Sequence, residues 1–110
     1  MTELIESEIR ENIDNSKKVL NSLKKVGRLE EDASYDILLE LLHHKTKDVR
    51  VEAIKHLGKF NGSYIEESLM EKYRDESDSM AKRECISSLG RQRNKNLIPF
   101  FNEVLGERDP

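Results

Sequence analysis

Tryptophan is absent from the 110 residues, and aromatic residues make up only 5% of the chain. Charged residues (37%) also outnumber hydrophobic ones (35%), so the sequence does not predict a large central core. The best apolar run spans residues 37–42, is interrupted by Glu40 and falls far short of a membrane span. The first residues lack a basic region followed by an apolar one, which argues against a secretory signal.

Cysteine is rare and the net charge is small. Cys85 is the single cysteine, which excludes an internal disulfide framework and favours a reducing, cytoplasmic location. The net charge of -3 favours neither a nucleic-acid tail nor a membrane-surface helix. These numbers predict one domain built from thin amphipathic helices.

Glycine follows an apolar residue at the end of an amphipathic run four times, at Gly27, Gly58, Gly90 and Gly106. Glycine is favoured just past a helix end because it adopts the left-handed conformation without a Cβ penalty. These four positions are therefore predicted helix ends.

Apolar residues recur at helical spacing between these glycines, and no stretch alternates with a period of two. The chain is therefore predicted to be all-α. Ser63 and Asp78 are predicted N-caps, and Glu66 stands three residues after Ser63, the spacing of a capping box. The first two predicted helices form either a separate pair or one bent helix. The predicted helices cover residues 3–14, 17–26, 34–44, 47–58, 64–74, 79–91 and 96–105.

An internal repeat is the strongest signal in the sequence. A shift of 32 residues places 49–58 on 81–90, with a basic residue, glutamate, a small residue, isoleucine and a final Leu-Gly in common. The same shift places Ile65 on Leu97 and Tyr73 on Leu105, so the following helix repeats as well. A shift of 31 reveals a degraded earlier copy, in which Gly27 corresponds to Gly58 and the second helix runs from Ser34 to His44.

This pattern resembles the HEAT repeat family, especially the short bacterial and archaeal type also seen in phycobilisome lyases. The resemblance rests on Asp48-Val49-Arg50, on Leu57-Gly58 and on the helix that opens at residues 96–101. It implies an α-α superhelix, a right-handed solenoid of antiparallel helix pairs with about three repeats. The expected units are an N-terminal cap helix (1–16), a degenerate repeat (17–46) and two repeats (47–78 and 79–110). These units form either one domain or the N-terminal part of a longer array.

Candidate catalytic and metal-ligating residues are few. His44 and His56 fall on successive helices, but no cysteine, aspartate or glutamate joins them in a recognisable ligand set. Solvated histidines near helix ends are the favoured interpretation. Cys85 occupies the position of Ala53 and is interpreted as a buried, inert thiol. We expect no enzyme activity, no cofactor and no metal.

The family resemblance assigns a structural role to Arg50 and Lys82, which hold equivalent positions in the two clearer repeats. In HEAT repeats this site usually bonds to the aspartate-containing turns and forms a ladder. Asp48 and Asp78 are the expected partners here.

Basic residues cluster in the turns that follow the glycines, whereas the turn with Asp75 and Glu76 is acidic. Because equivalent turns line up in a solenoid, the sequence predicts one basic edge. That edge is either a solvated surface or a site for an acidic partner or a phosphate backbone. The candidates for the basic edge are Lys55, Lys59, Arg91, Arg93 and Lys95, with Lys24, Lys25 and Arg28 in the degraded copy.

Three functions are compatible with this pattern. The first is a protein-binding scaffold that uses its concave helix face and basic edge. The second is a nucleic-acid-binding module within a larger DNA-modifying or repair protein; HEAT-like DNA glycosylases use a basic concave face, which is not evident here. The third, chromophore attachment, rests on the likeness to phycobilisome lyases alone. The family geometry suggests these concave-face candidates: Glu40, Tyr64, Glu67, Glu71 and Asn102.

The expected partner is a protein, with nucleic acid as the alternative. We expect no membrane association. The chain halts at Asp109-Pro110, where another helix would begin, so we expect either that it is a fragment of a longer array or that a partner covers the last helix pair. In the second case the 79–110 repeat is the candidate for an end-to-end or homodimer contact.

Overall fold

The computed structural model describes residues 3–26 and 36–108, and within these ranges it contains helices and no strand. The predicted all-α helical-repeat fold is confirmed. A 3-10 turn at Lys95–Leu97 leads into the last helix. The α-helices are Glu3–Glu11 (α1), Ser16–Val26 (α2), Asp36–Leu41 (α3), Lys47–Leu57 (α4), Ser63–Asp75 (α5), Ser79–Arg91 (α6) and Ile98–Arg108 (α7).

The first two helices are separate. The chain turns at residues 12–14, and Asn15 Oδ1 accepts a hydrogen bond from the Lys18 backbone N–H at 3.1 Å. An asparagine at this position satisfies one of the free donors in the first turn of α2. Of the two alternatives left by the sequence, the separate pair is therefore the one observed.

Helices α2, α4 and α6 stack in that order, while α1 packs on α2, α3 on α4, and α5 on α6. One continuous core runs through the stack, from Ile9 and Leu23 to Ile54 and Leu89, all of which are fully buried. Phe100 of α7 meets Tyr73 of α5 edge to face, with ring centroids 5.6 Å apart. The described part of the molecule is elongated, about 44 × 27 × 17 Å, because each helix shares its core with neighbours.

The glycines do not act as predicted. Gly58 follows α4 with φ -61° and a right-handed conformation, and Gly90 and Gly106 lie inside α6 and α7. Gly27 lies outside the described residues. Gly62, which precedes α5, is the described glycine with positive φ, at 132°. The prediction that glycine is used for its left-handed conformation is therefore wrong for Gly58, Gly90 and Gly106. The Leu-Gly pair shared by the two repeats must have another physical cause at Gly58.

One predicted cap is confirmed and the other is wrong. Asp78 precedes α6, and its Oδ2 accepts from the Ala81 backbone N–H at 2.9 Å. Ser63 lies inside α5, which begins after Gly62 without a side-chain cap. The Glu66 carboxylate accepts instead from Asn94 Nδ2 at 2.9 and 3.0 Å, so it ties α5 to the turn before α7 rather than closing a capping box.

His44 is buried rather than solvated. The Thr46 backbone N–H donates to His44 Nδ1 at 3.0 Å, so Nε2 carries the proton and donates to the Ile13 carbonyl at 2.6 Å. The ring thus joins the turn after α1 to the turn before α4. Both ring nitrogens are therefore used in structural hydrogen bonds.

His56 is also buried, contrary to the prediction of a solvated side chain. Its Nε2 lies 3.8 Å from Glu52 Oε2, and no atom of the described residues hydrogen-bonds to its Nδ1. Burial lowers the pKa of His56, the nearby Lys59 lowers it further, and Glu52 opposes both effects. The folded protein therefore favours a neutral ring.

We expect the free energy of unfolding to fall as the pH is lowered from 7 to 5. The unfolded chain takes up a proton at His56 near the ordinary pKa of about 6.5, whereas the folded chain does so only at lower pH. At a pH between these two pKa values the unfolded state binds more protons than the folded state, and it is therefore stabilised relative to the folded state. Urea denaturation of the wild type and of His56→Gln measures the effect, and the variant should have the weaker pH dependence. The exposed His43→Gln is the control; equal slopes for His56→Gln and the wild type would contradict the prediction.

Candidate functional site

A buried charge network joins the turn before α4 to the turn before α6. Glu76 is almost fully buried, and its carboxylate accepts from Arg50 Nε at 3.0 and 3.2 Å and from an Arg50 terminal nitrogen at 3.0 Å. Arg50 also donates to the carbonyls of His44 at 2.8 Å and Lys45 at 3.2 Å. The Asp78 backbone N–H adds a further donor to Glu76 at 3.2 Å.

Lys72 completes this network from α5, with its ammonium 3.1 Å from Glu76. Burial raises the pKa of Glu76, but the hydrogen bonds from Arg50, from the Asp78 backbone and from Lys72 together hold it below its ordinary value. The carboxylate is therefore ionised and holds three segments together.

Of the two positions expected to form the ladder, Arg50 makes an ion pair, but with an acid other than the expected ones. Arg50 pairs with Glu76 rather than with Asp48 or Asp78, because the acidic turn directs Glu76 inward and uses Asp78 as a helix cap. Asp48 is exposed in the first turn of α4. The ammonium of Lys82 lies 4.6 Å from the Tyr73 ring centroid, a cation–π contact in place of the expected ion pair.

A groove between α3 and α5 contains two of the concave-face candidates. It has a volume of about 200 Å³ and is lined by side chains of both helices and by Leu42 and His43, which follow α3. On α5, Tyr64, Ser68, Glu71 and Asp75 follow one another at helical spacing and form one wall. Tyr64 is 61% exposed, although it is a large amphipathic side chain.

The other concave-face candidates lie outside this groove. Glu67 is exposed on α5 one turn from Glu71. Glu40 is exposed on α3 and ion-paired with Arg10 of α1 at 2.6 Å. Asn102 is exposed on α7. The structure thus brings together Tyr64 and Glu71, with Glu67 beside them, and leaves Glu40 and Asn102 apart from the groove lining.

The side-chain amide of Gln92, which the sequence does not single out, joins the two parts of the basic edge. Gln92 Nε2 donates to the carbonyls of Gly58 at 3.2 Å and Phe60 at 2.9 Å, so the turn after α6 sits on the turn after α4. This contact joins the C-terminal ends of α4 and α6, and the basic-edge candidates lie in the last turns of these helices and in the residues that follow them: Lys55, Lys59, Arg91, Arg93 and Lys95. Arg28 lies outside the described residues.

Part of the positive charge on this edge is neutralised locally. Lys55 lies 3.6 Å from Glu52, and Arg91 lies 3.4 Å from Glu84 and donates to Ser88 Oγ at 2.9 Å. Arg93 is exposed with φ 51°. Such partly paired cations attract a phosphate backbone less strongly than their number suggests.

The Cys85 thiol does not have the surroundings of a nucleophile. The side chain is fully buried in α6, and burial raises its pKa to about 12. The thiol is therefore protonated at neutral pH and packs as a small apolar group.

None of the helices within residues 3–26 and 36–108 has the length and apolar content needed to cross a membrane. A family model for HEAT repeats matches residues 35–110, whereas no curated protein and no solved structure matches the chain. The match covers the stacked pairs from α3 to α7 and does not single out the phycobilisome lyase type. HEAT repeats are generally protein-interaction modules and typically non-enzymatic. The repeated sequence, the stacked all-α fold and the family match together show that this chain belongs to the HEAT repeat family.

Proposed function

We propose that this protein is a non-enzymatic interaction module that holds a short basic segment of a partner protein in the groove between α3 and α5. The observation that carries the proposal is Tyr64, a large side chain 61% exposed at the rim of a groove with carboxylates on its wall. Exposed aromatic side chains beside a concavity are typical anchors of protein interfaces. The proposal includes the cytoplasmic location expected from the sequence.

The charge of the groove selects the partner. Glu71 and Asp75 line it, and Glu67 lies one helical turn away on the same helix. Among the described lining residues Lys72 is the one lysine or arginine, and its ammonium is already engaged by Glu76 at 3.1 Å. A lysine or arginine of the partner therefore meets an acidic wall, and an arginine also stacks on the Tyr64 ring.

A titration of the isotope-labelled protein with a short Arg- and Lys-rich peptide, followed by NMR, tests this proposal. We expect shifts at Tyr64, Ser68 and Glu71. Tyr64→Ala and Glu71→Lys should each weaken binding about tenfold, the equivalent of ~1.4 kcal/mol. Glu11→Lys, on the exposed part of α1, makes the same charge change elsewhere and should leave the affinity unchanged.

Two outcomes would contradict the proposal. Equal weakening by Glu11→Lys and Glu71→Lys would show that the peptide responds only to net charge. A parallel titration with duplex DNA at low salt addresses the alternative function. Shifts confined to Arg91, Arg93 and Lys95, lost in Arg91→Glu and Arg93→Glu and steeply reduced by salt, would favour nucleic-acid binding instead.

A further inference from the structure

The turn between α4 and α5 contains an asparagine whose side chain is not held by the protein. Asn61, Gly62 and Ser63 are all exposed. Within residues 3–26 and 36–108, no hydrogen bond holds the Asn61 amide, and the Gly62 backbone N–H has no acceptor. The amide carbon of Asn61 and the nitrogen of Gly62 are therefore free to approach each other when the Asn61 side chain rotates.

The fold requires glycine directly after Asn61. Gly62 has φ 132° and ψ 156°, a backbone conformation that is essentially reserved for glycine. Outside the adjoining residues, no atom lies within 4 Å of the position that a Cβ of residue 62 would take. The nitrogen that follows Asn61 therefore has neither a side chain of its own residue nor a packed neighbour to hinder its approach to the amide.

The other six asparagines of the chain lack this combination. Three have their side-chain amides held by hydrogen bonds of 2.9 to 3.1 Å: Asn12, Asn15 and Asn94. The other three precede a backbone N–H that is bound within a helical turn: Asn21, Asn96 and Asn102. The fold thus distinguishes Asn61 from every other asparagine.

We propose that Asn61 is a site of spontaneous deamidation, with water as the co-reactant. Asparagine is among the thermally labile side chains of proteins. The Gly62 nitrogen attacks Asn61 Cγ and forms a new C–N bond; the bond from Cγ to Nδ2 breaks, and the amide nitrogen leaves as ammonia with the proton of the Gly62 N–H. The cyclic imide then adds water at either of its carbonyl carbons. Its opening gives aspartate or isoaspartate at residue 61, without oxidation or reduction.

Both products place a new carboxylate before α5 and next to the basic edge. Because α5 begins without a side-chain cap, this carboxylate lies near free backbone N–H groups and the positive end of the helix dipole. Lys59 is exposed two residues earlier, so the basic edge becomes less positive. Isoaspartate also adds a methylene to the main chain between the Phe60 carbonyl, which accepts from Gln92, and the start of α5.

Incubation of the full chain in water labelled with heavy oxygen tests the proposal. The tryptic peptide 60–72 contains Asn61 as its single asparagine, and mass spectrometry should show the label entering this peptide with time. We expect uptake about tenfold faster at Asn61 than at Asn15, the equivalent of ~1.4 kcal/mol in the barrier. Chromatography should separate aspartate and isoaspartate forms of the peptide. Asn61→Gln, which would have to close a larger ring, should prevent uptake at residue 61.

Ser16→Gly is the matched control, because it places an asparagine–glycine pair at the start of α2. Asn15 Oδ1 is held there by the Lys18 backbone N–H at 3.1 Å. In this variant, label should therefore still enter residue 15 more slowly than residue 61. Circular dichroism establishes that the variant is folded during the incubation.

The effect of the new charge is measured with Asn61→Asp, which reproduces one product. This variant should have a higher urea midpoint than the wild type, because the carboxylate interacts favourably with the start of α5. Asn102→Asp makes the same change at an exposed position within α7 and should not raise the midpoint.

Three results would overturn the proposal. Absence of label at residue 61 would remove the site. Aspartate as the sole product would show that water attacks the amide directly, without the Gly62 nitrogen. Equal uptake at residues 15 and 61 of Ser16→Gly would show that the dipeptide alone, and not the fold, determines the reaction.

Discussion

Replacement of Glu76 by alanine should lower the free energy of unfolding by about 3–5 kcal/mol, the effect expected when one partner of a buried ion pair is removed. The change leaves the guanidinium of Arg50 and the ammonium of Lys72 without their carboxylate, although the Arg50 and Lys72 side chains are only 16% and 9% exposed. It also removes the acceptor of the Asp78 backbone N–H, next to the start of α6. Urea denaturation followed by far-UV circular dichroism measures the loss.

The loss of stability should come from the buried charges that are left without a partner, and not from the lost attraction of the ion pair itself. Arg50→Met combined with Glu76→Leu should therefore be less destabilising than the sum of the two single changes, because the double variant leaves no charge unpaired between these two positions. Arg10→Ala is the matched control: it breaks an ion pair at 2.6 Å whose side chains are about half exposed, and it should change stability little. A Glu76→Ala variant as stable as Arg10→Ala would contradict the prediction.

The fall in the free energy of unfolding at acidic pH provides a second test of Glu76→Ala. Because the pKa of Glu76 is held below its ordinary value, the unfolded chain binds a proton at this carboxyl before the folded chain does. The stabilisation is complete above the unfolded pKa of about 4.3 and is lost as the pH falls through the lower folded value. The Glu76→Ala variant should therefore lose less stability than the wild type in this range.

The positions of most helices could be predicted because the information is local. Apolar residues of α4, such as Val49, Ala53 and Leu57, recur at helical spacing, and all three are buried. The shift of 32 residues then shows that the pattern is repeated, and the structure stacks α6 on α4 accordingly. Asp78 could be recognised as a cap because its acceptor serves a donor only three residues away.

The buried polar contacts could not be predicted in the same way. Glu76 lies in a charged turn and is indistinguishable by composition from a solvated residue, although Lys72 at i-4 is a weak local signal. Arg50 lies 26 residues before Glu76, and Ile13 lies 31 residues before His44, so neither partner follows from spacing. The turn before α6 uses one acid as a cap and another as the buried acceptor, and only the path of the backbone determines which.

Gly58→Ala and Gly90→Ala should have opposite effects, although both glycines end the same repeated motif. At Gly58 the new Cβ would stand 2.7 Å from Ser88 Oγ and 2.8 Å from Ser88 Cβ. Because Ser88 Cβ is fixed to the backbone of α6, rotation of a side chain cannot relieve this contact, and α4 and α6 must separate. We expect a loss of about 1–3 kcal/mol, the usual cost of overpacking.

At Gly90 the same substitution meets no atom within 4 Å and lies inside the exposed part of α6. Alanine restricts the unfolded backbone and favours the helix, so Gly90→Ala should raise the free energy of unfolding by about 0.5–1 kcal/mol. Denaturation midpoints of the two variants, measured side by side, test both signs. Destabilisation by both would show that the glycine serves the helix end itself, as the sequence pattern first indicated.

A double-mutant cycle locates the cause at the contact between α4 and α6. Ser88→Gly removes Ser88 Oγ and Cβ, two of the three atoms that Gly58→Ala would meet, at the expense of the Ser88 hydrogen bond to the Ile54 carbonyl at 3.2 Å. The third atom, a terminal nitrogen of Arg91 at 2.8 Å, is the end of a flexible side chain and can move away. The double variant should therefore be more stable than the two single losses predict, by a coupling energy of about 0.5–3 kcal/mol. Additive losses would show that the cost of Gly58→Ala does not come from contact with Ser88. A strong coupling would show that position 58 needs glycine because α4 and α6 approach each other closely there. Gly90 has no neighbouring atom within 4 Å of its Cβ position and therefore does not need to be glycine for this reason.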